Sequence, residues 1–82
     1  MPEAKTELRV YIFLEIDRTV KKRLEFDTDE VTGREIKEKG GVPLQDDLAQ
    51  RKGEQLELVT NDQVIRIHDG ERFVALPPGT IS

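Results

Sequence analysis

The chain has no cysteine and no tryptophan, and its 82 residues include one histidine, one tyrosine and three phenylalanines. Without cysteine there is no disulfide, no thiolate nucleophile and no cysteine-based zinc site, and a lone histidine does not hold a metal by itself. Long apolar runs are missing too. The opening residues, MPEAKTE, have neither the apolar stretch of a signal peptide nor that of a membrane span, which points to a cytoplasmic protein. Positive charge is also scarce: 13 Lys and Arg stand against 17 Asp and Glu, a net charge of −4. That balance lacks the basic field that nucleic acid or an anionic membrane requires, so neither is expected as a partner. A chain this short supports one core, which excludes a multidomain enzyme. Hydrophobic residues make up 35%, enough for a core when the apolar positions are well patterned.

The patterning is there. From Leu8 to Ile16 the sequence reads LRVYIFLEI, with Val10, Ile12, Leu14 and Ile16 two apart, as in a strand with one apolar face. Val20, Leu24 and Phe26 resume the alternation opposite Lys21, Arg23 and Glu25, which predicts a hairpin. No Asn-Gly or Asp-Gly marks its turn, so the connection is expected to be longer than two residues or bulged. Next comes V-T-G-R-E-I at 31–36. Thr32 and Glu35 have the spacing of a capping box, and Val31 and Ile36 that of a hydrophobic staple. Lys37 and Lys39 suit a last turn, Gly40-Gly41 a left-handed stop, and Pro43 closes off further helix.

Beyond Pro43 the apolar residues thin out. A weak strand fits around Leu48 and Ala49, a second over Gln55 to Val59, and Val64-Ile65-Arg66-Ile67 forms an apolar knot between turn signals at Asn61-Asp62 and Asp69-Gly70. Arg72 to Leu76 makes a last strand that Pro77-Pro78 ends. Hairpin, helix, weaker strands and last strand is the β-grasp order. The predicted fold class is α+β, a mixed four- to five-stranded sheet packed on one main helix. The domain spans 8–76, between a flexible N-terminus at 1–7 and a flexible tail at 77–82.

Catalysis and metal binding find little purchase. Asp27, Asp29, Glu30 and Glu38 begin to resemble a calcium loop, but Val31 and Thr32 occupy the places that need an oxygen ligand and a glycine. His68 next to Asp69 has no nucleophile to activate, and Asp46 and Asp47 on a strand point to opposite faces. Lys21-Lys22-Arg23 is split between two faces in the same way. The chain therefore reads as no enzyme, with no cofactor and no metal. More informative are Tyr11 and Phe13. The even-numbered residues of the first strand already supply an inward face, so the two aromatics point the other way. By the same alternation Phe73 and Ala75 point inward and Val74 and Leu76 outward. In a β-grasp the first and last strands are neighbours, so Tyr11, Phe13, Val74 and Leu76 would form an apolar patch on the open face, the mark of a partner site. The alternatives are an inverted face assignment or a terminal segment lying over the patch.

Three motifs together, V-T-G-R-E-I before a glycine turn, G-E-Q-L-E-L in the middle and D-G-E-R-F near the end, resemble bacterial ubiquitin-like domains of the multiubiquitin type. The resemblance covers about Leu8 to Gly79. It implies a ubiquitin-like β-grasp and a protein modifier of a bacterial conjugation-like pathway, with an activating enzyme, a conjugating enzyme and a JAMM-type peptidase as partners. It also sets Gln50 at the aliphatic position of ubiquitin's recognition patch. Such modifiers react through a C-terminal glycine carboxylate, and here Gly79 is the candidate, exposed after a peptidase removes three residues. Lys21, Lys22, Lys37, Lys39 and Lys52 are lysines that would be open to chain attachment. The alternative is a ubiquitin-like module that binds partners without conjugation; a sulfur carrier is the third reading.

Overall fold

The computed structural model describes residues 9–80. The expectations placed on 1–7, on Leu8 and on the last two residues lie outside that range. Seven strands and one helix are found among the described residues: β1 (Val10–Ile16), β2 (Val20–Phe26), β3 (Glu30–Thr32), α1 (Gly33–Gly40), β4 (Asp47–Lys52), β5 (Gln55–Leu58), β6 (Val64–Arg66) and β7 (Glu71–Leu76). Five of the strands form a mixed sheet in the order β2-β1-β7-β4-β5, and β3 and β6 form a separate pair. The first and last strands run parallel at its centre, while β2, β4 and β5 join antiparallel. The fold is α+β, with one helix and a five-stranded mixed sheet.

The hairpin turns through Asp17 and Arg18, both at positive φ (54° and 62°), and Thr19 N–H closes it on the Ile16 carbonyl at 3.1 Å. Two consecutive left-handed residues are what a tight turn between right-twisted strands requires, here without the usual glycine. The helix begins as its motif predicts. Thr32 Oγ1 accepts from Glu35 N–H at 3.2 Å, and Glu35 Oε1 accepts from Thr32 N–H at 2.8 Å. Gly41, left-handed at φ 76°, ends it, and Lys22 Nζ donates to the Gly40 carbonyl at 2.9 Å. Val31 and Ile36, the staple pair, are both fully buried.

The even-numbered residues of β1 face the helix. Ile12, Leu14, Leu24, Phe26, Ile36, Leu48, Phe73 and Ala75 belong to one core, which Val31 and Ile67 extend toward the small sheet. Two glycines let the helix approach. A Cβ on Gly40 would collide with the Leu14 side chain, and one on Gly33 with the Thr60 carbonyl. Gln50 corrects the position given it by resemblance. It pairs with Phe73, so it shares the helix-facing side of the sheet, where it is buried and donates to Glu71 Oε2 at 2.8 Å. The outward positions of β4 are Asp47, Ala49 and Arg51.

Candidate binding face of the sheet

The side of the sheet away from the helix carries Arg23 from β2, Tyr11 and Phe13 from β1, Arg72, Val74 and Leu76 from β7, Ala49 and Arg51 from β4, and Leu56 and Leu58 from β5. Strand pairing fixes this set, because residues paired across a sheet share a face. The start of β1 is fastened by the Asp69-Gly70 turn. Tyr11 N–H donates to Asp69 Oδ1 at 3.1 Å, and the Tyr11 carbonyl accepts from Gly70 N–H at 2.9 Å. Gly70 is left-handed there at φ 85°. His68 makes its contact with Glu71, whose Oε2 lies 3.8 Å from Nδ1, and the pairing imagined with Asp69 does not form because that carboxylate is turned to β1.

Tyr11 and Phe13 meet edge to face, ring centroids 5.6 Å apart and planes at 76°, the arrangement that aromatic quadrupoles favour. The Arg23 guanidinium lies 4.5 Å from the Tyr11 ring centroid and 3.3 Å from Glu25. Tyr11 is thereby half-buried. Phe13 keeps 41% of its surface in solvent, and Leu56 and Leu58 at the far edge keep 38% and 46%. Beside Phe13 is an open cavity of about 330 Å³, lined also by Glu15, Lys21, Arg51 and Arg72.

Val74 and Leu76 face this side, as the alternation predicts, but they are buried, at 3% and 4%. This corrects their place in the patch. β7 is the middle strand, so Val74 has Glu15 on one side and Ala49 on the other, and Leu76 has Asp47 beside it. They form the floor of the face, and the groups open to a partner are Phe13, Leu56 and Leu58, with Tyr11 at the margin. The two leucines were missed at the sequence level, where β5 reads as a weak strand with no assigned face.

Gly79 also departs from expectation. In place of a free tail, Pro77 to Thr80 makes a turn, with Thr80 N–H on the Pro77 carbonyl at 3.2 Å and Gly79 at φ 82°. Such a φ suits glycine at the third position of a turn whose second residue is proline. Gly79 N–H donates to Asp47 Oδ2 at 2.9 Å, which folds the segment back on the start of β4. Nothing lies within 4 Å of where a Gly79 side chain would begin, and the residue is exposed.

The lysines separate into different environments. Lys37 is buried, donating to the carbonyls of Leu44 and Asp46 and to Asn61 Oδ1, so it is not open to attachment. Burial pulls its pKa below the ordinary value, against the opposing pull of the Asp47 and Asp46 carboxylates. Lys22 caps the helix, Lys39 lies over the Phe26 ring and Lys52 pairs with Glu57. Among the described residues no three acidic, histidine or cysteine side chains are placed to hold a metal, and no helix is long and apolar enough to cross a membrane. Compared with family models, curated proteins and solved structures, the chain matches none.

Proposed function

We propose that the chain is a ubiquitin-like β-grasp domain that acts by being bound, with the open face of the sheet as its recognition surface and no catalysis of its own. The fold reading rests on the arrangement: a leading hairpin, a helix crossing one face, and parallel first and last strands at the centre of the sheet. The recognition reading rests on one observation. Phe13, Leu56 and Leu58 stand exposed on a single sheet face that no helix or strand among the described residues covers, and exposed apolar groups gathered on one face mark interaction sites in soluble proteins. To test it, a photoreactive benzophenone amino acid replaces Phe13, or Glu38 on the exposed side of the helix, and the protein is irradiated in its native host. Adducts of discrete mass from position 13, absent from position 38 and lost on adding Leu58→Ser, are the expected result. Equal yields at the two positions, or none at position 13, overturn the reading.

A second reading, the modifier attached through Gly79, is favoured by the exposure of that residue beyond the last strand. Attachment requires cleavage after Gly79 by a peptidase of the JAMM type and release of the turn from Asp47, followed by an activating enzyme and a conjugating enzyme. Its signature is a set of higher-mass species that survive boiling in detergent and vanish with Gly79→Ala. Their absence leaves the non-covalent module.

A further inference from the structure

The cations on the open face are arranged against the charge balance of the chain. Gln50 pairs with Phe73 across β4 and β7. One step further along each strand bring Arg51 and Arg72 onto the open side, where both line the cavity beside Phe13. Phe13 is the paired neighbour of Arg72 in β1, and Leu56 that of Arg51 in β5. By register a band therefore crosses the sheet in the order Phe13, Arg72, Arg51, Leu56: two arginines lining one cavity, between two exposed apolar residues. Like charges opposed across a ladder repel. The ion pairs found among the described residues engage Arg9, Arg23, Arg34, Lys52, Arg66 and His68. Glu15 also lines the cavity, opposite Lys21 in the hairpin register, and no ion pair joins it to either arginine among the described residues. In a chain of net charge −4 carboxylates are plentiful, yet among the described residues none is ion-paired with Arg51 or Arg72.

We propose that the face binds an acidic, apolar segment of a partner protein, seating a carboxylate between Arg51 and Arg72 and an aliphatic side chain against Phe13 and Leu56. The inference rests on the reading of this face as a recognition surface and gives its partner a chemistry. Guanidinium is planar, weakly hydrated and forked, so it accepts a carboxylate in a two-point contact and tolerates an apolar neighbour better than an ammonium does. The face does not suit a continuous polyanion. Glu15, Glu25 and Asp47 share it by register, and aliphatic leucines stand where a phosphate-tracking groove would carry further cations.

The test is an amide-resolved NMR titration of the full chain with a synthetic peptide alternating Asp and Leu, and with the same peptide carrying Asn for Asp. The acidic peptide is expected to shift the amides of Phe13, Arg51 and Arg72 and to bind at least about tenfold more tightly than the Asn peptide. Arg51→Gln with Arg72→Gln should weaken it by about tenfold or more, and Lys39→Gln with Lys52→Gln, which removes the same charge elsewhere, by less than about threefold. Thermal melts should show the arginine variants at least as stable as the parent, because a repulsion is removed. Equal affinity for both peptides on this face overturns the acidic chemistry and leaves the recognition reading intact. Shifts confined to another face, equal losses in the two double variants, a destabilised arginine variant, or no binding up to millimolar peptide each overturn the inference whatever crosslinking at position 13 gives. Binding that needs prior removal of residues 1–8 also overturns it, by making that segment the occupant.

Discussion

An ammonium group that leaves water must find an acceptor for each of its protons, and Lys37 finds three, in Leu44, Asp46 and Asn61. Asn61 in turn donates to the same Leu44 carbonyl at 3.1 Å, so one side chain joins the helix to two loops. In the sequence Lys37 reads as a surface lysine near a helix end, because its surroundings come from residues seven to 24 positions away. Lys37→Met removes the donor and leaves those acceptors without it, which should lower stability by about 1–3 kcal/mol in urea unfolding at neutral pH. The pH dependence has a definite sign. Burial lowers the folded pKa below the ordinary 10.5, so between the two values the unfolded chain binds more protons and stability rises with pH. Over the approach to pH 10.5 from below, the advantage of the parent over Lys37→Met should therefore widen. A constant or shrinking gap would show that the ammonium is not held out of water.

At the scale of elements, what is legible in the sequence is what neighbouring residues decide. The capping box and staple residues around α1 lie within six residues; the box forms as its spacing predicts, and Val31 and Ile36 are both buried in the core. Thr32→Ala should cost about 1 kcal/mol, the ordinary worth of an N-cap, read as a shift of the urea midpoint without change of slope. Gly33 shows the limit of that local reading. In an open helix Gly→Ala gains up to about 1 kcal/mol from propensity. Here the added methyl meets the Thr60 carbonyl, 27 positions away along the chain, and backbone gives way less readily than a side chain. The expected outcome for Gly33→Ala is a net loss of about 1–3 kcal/mol, and a gain would place the 59–63 segment farther from the helix. Gln50 illustrates the same boundary from the sheet side. A one-residue displacement of register reverses every face of a strand, and in β4 too few apolar residues flank Gln50 to fix it from sequence.

For the whole molecule, strand order decides what strand pattern leaves open. Alternation alone puts Tyr11, Phe13, Val74 and Leu76 on the outward side, and the ladders agree. Exposure is decided by what stands beside each residue, and a linear sequence does not carry that order: along β7 itself Arg72 is exposed while Val74 and Leu76 are buried. The two phenylalanines of the paired central strands then make a direct comparison. Phe13 is outward and 41% exposed, while Phe73 is inward and 1% exposed, packed with Leu14, Ile36 and Leu48 in the core cluster. Phe73→Ala empties space that its packed neighbours do not refill, and should cost about 3–5 kcal/mol. Phe13→Ser forfeits an edge contact to Tyr11 and part of an apolar area already in water, so its loss should stay near 1 kcal/mol. Urea unfolding of both variants checks the difference. If Phe13→Ser destabilises as much as Phe73→Ala, the sheet is covered on both sides and the open face has no room for a partner. If it does not, and the same variant abolishes crosslinking from a benzophenone placed at Leu58, then the exposed aromatic serves binding and not folding.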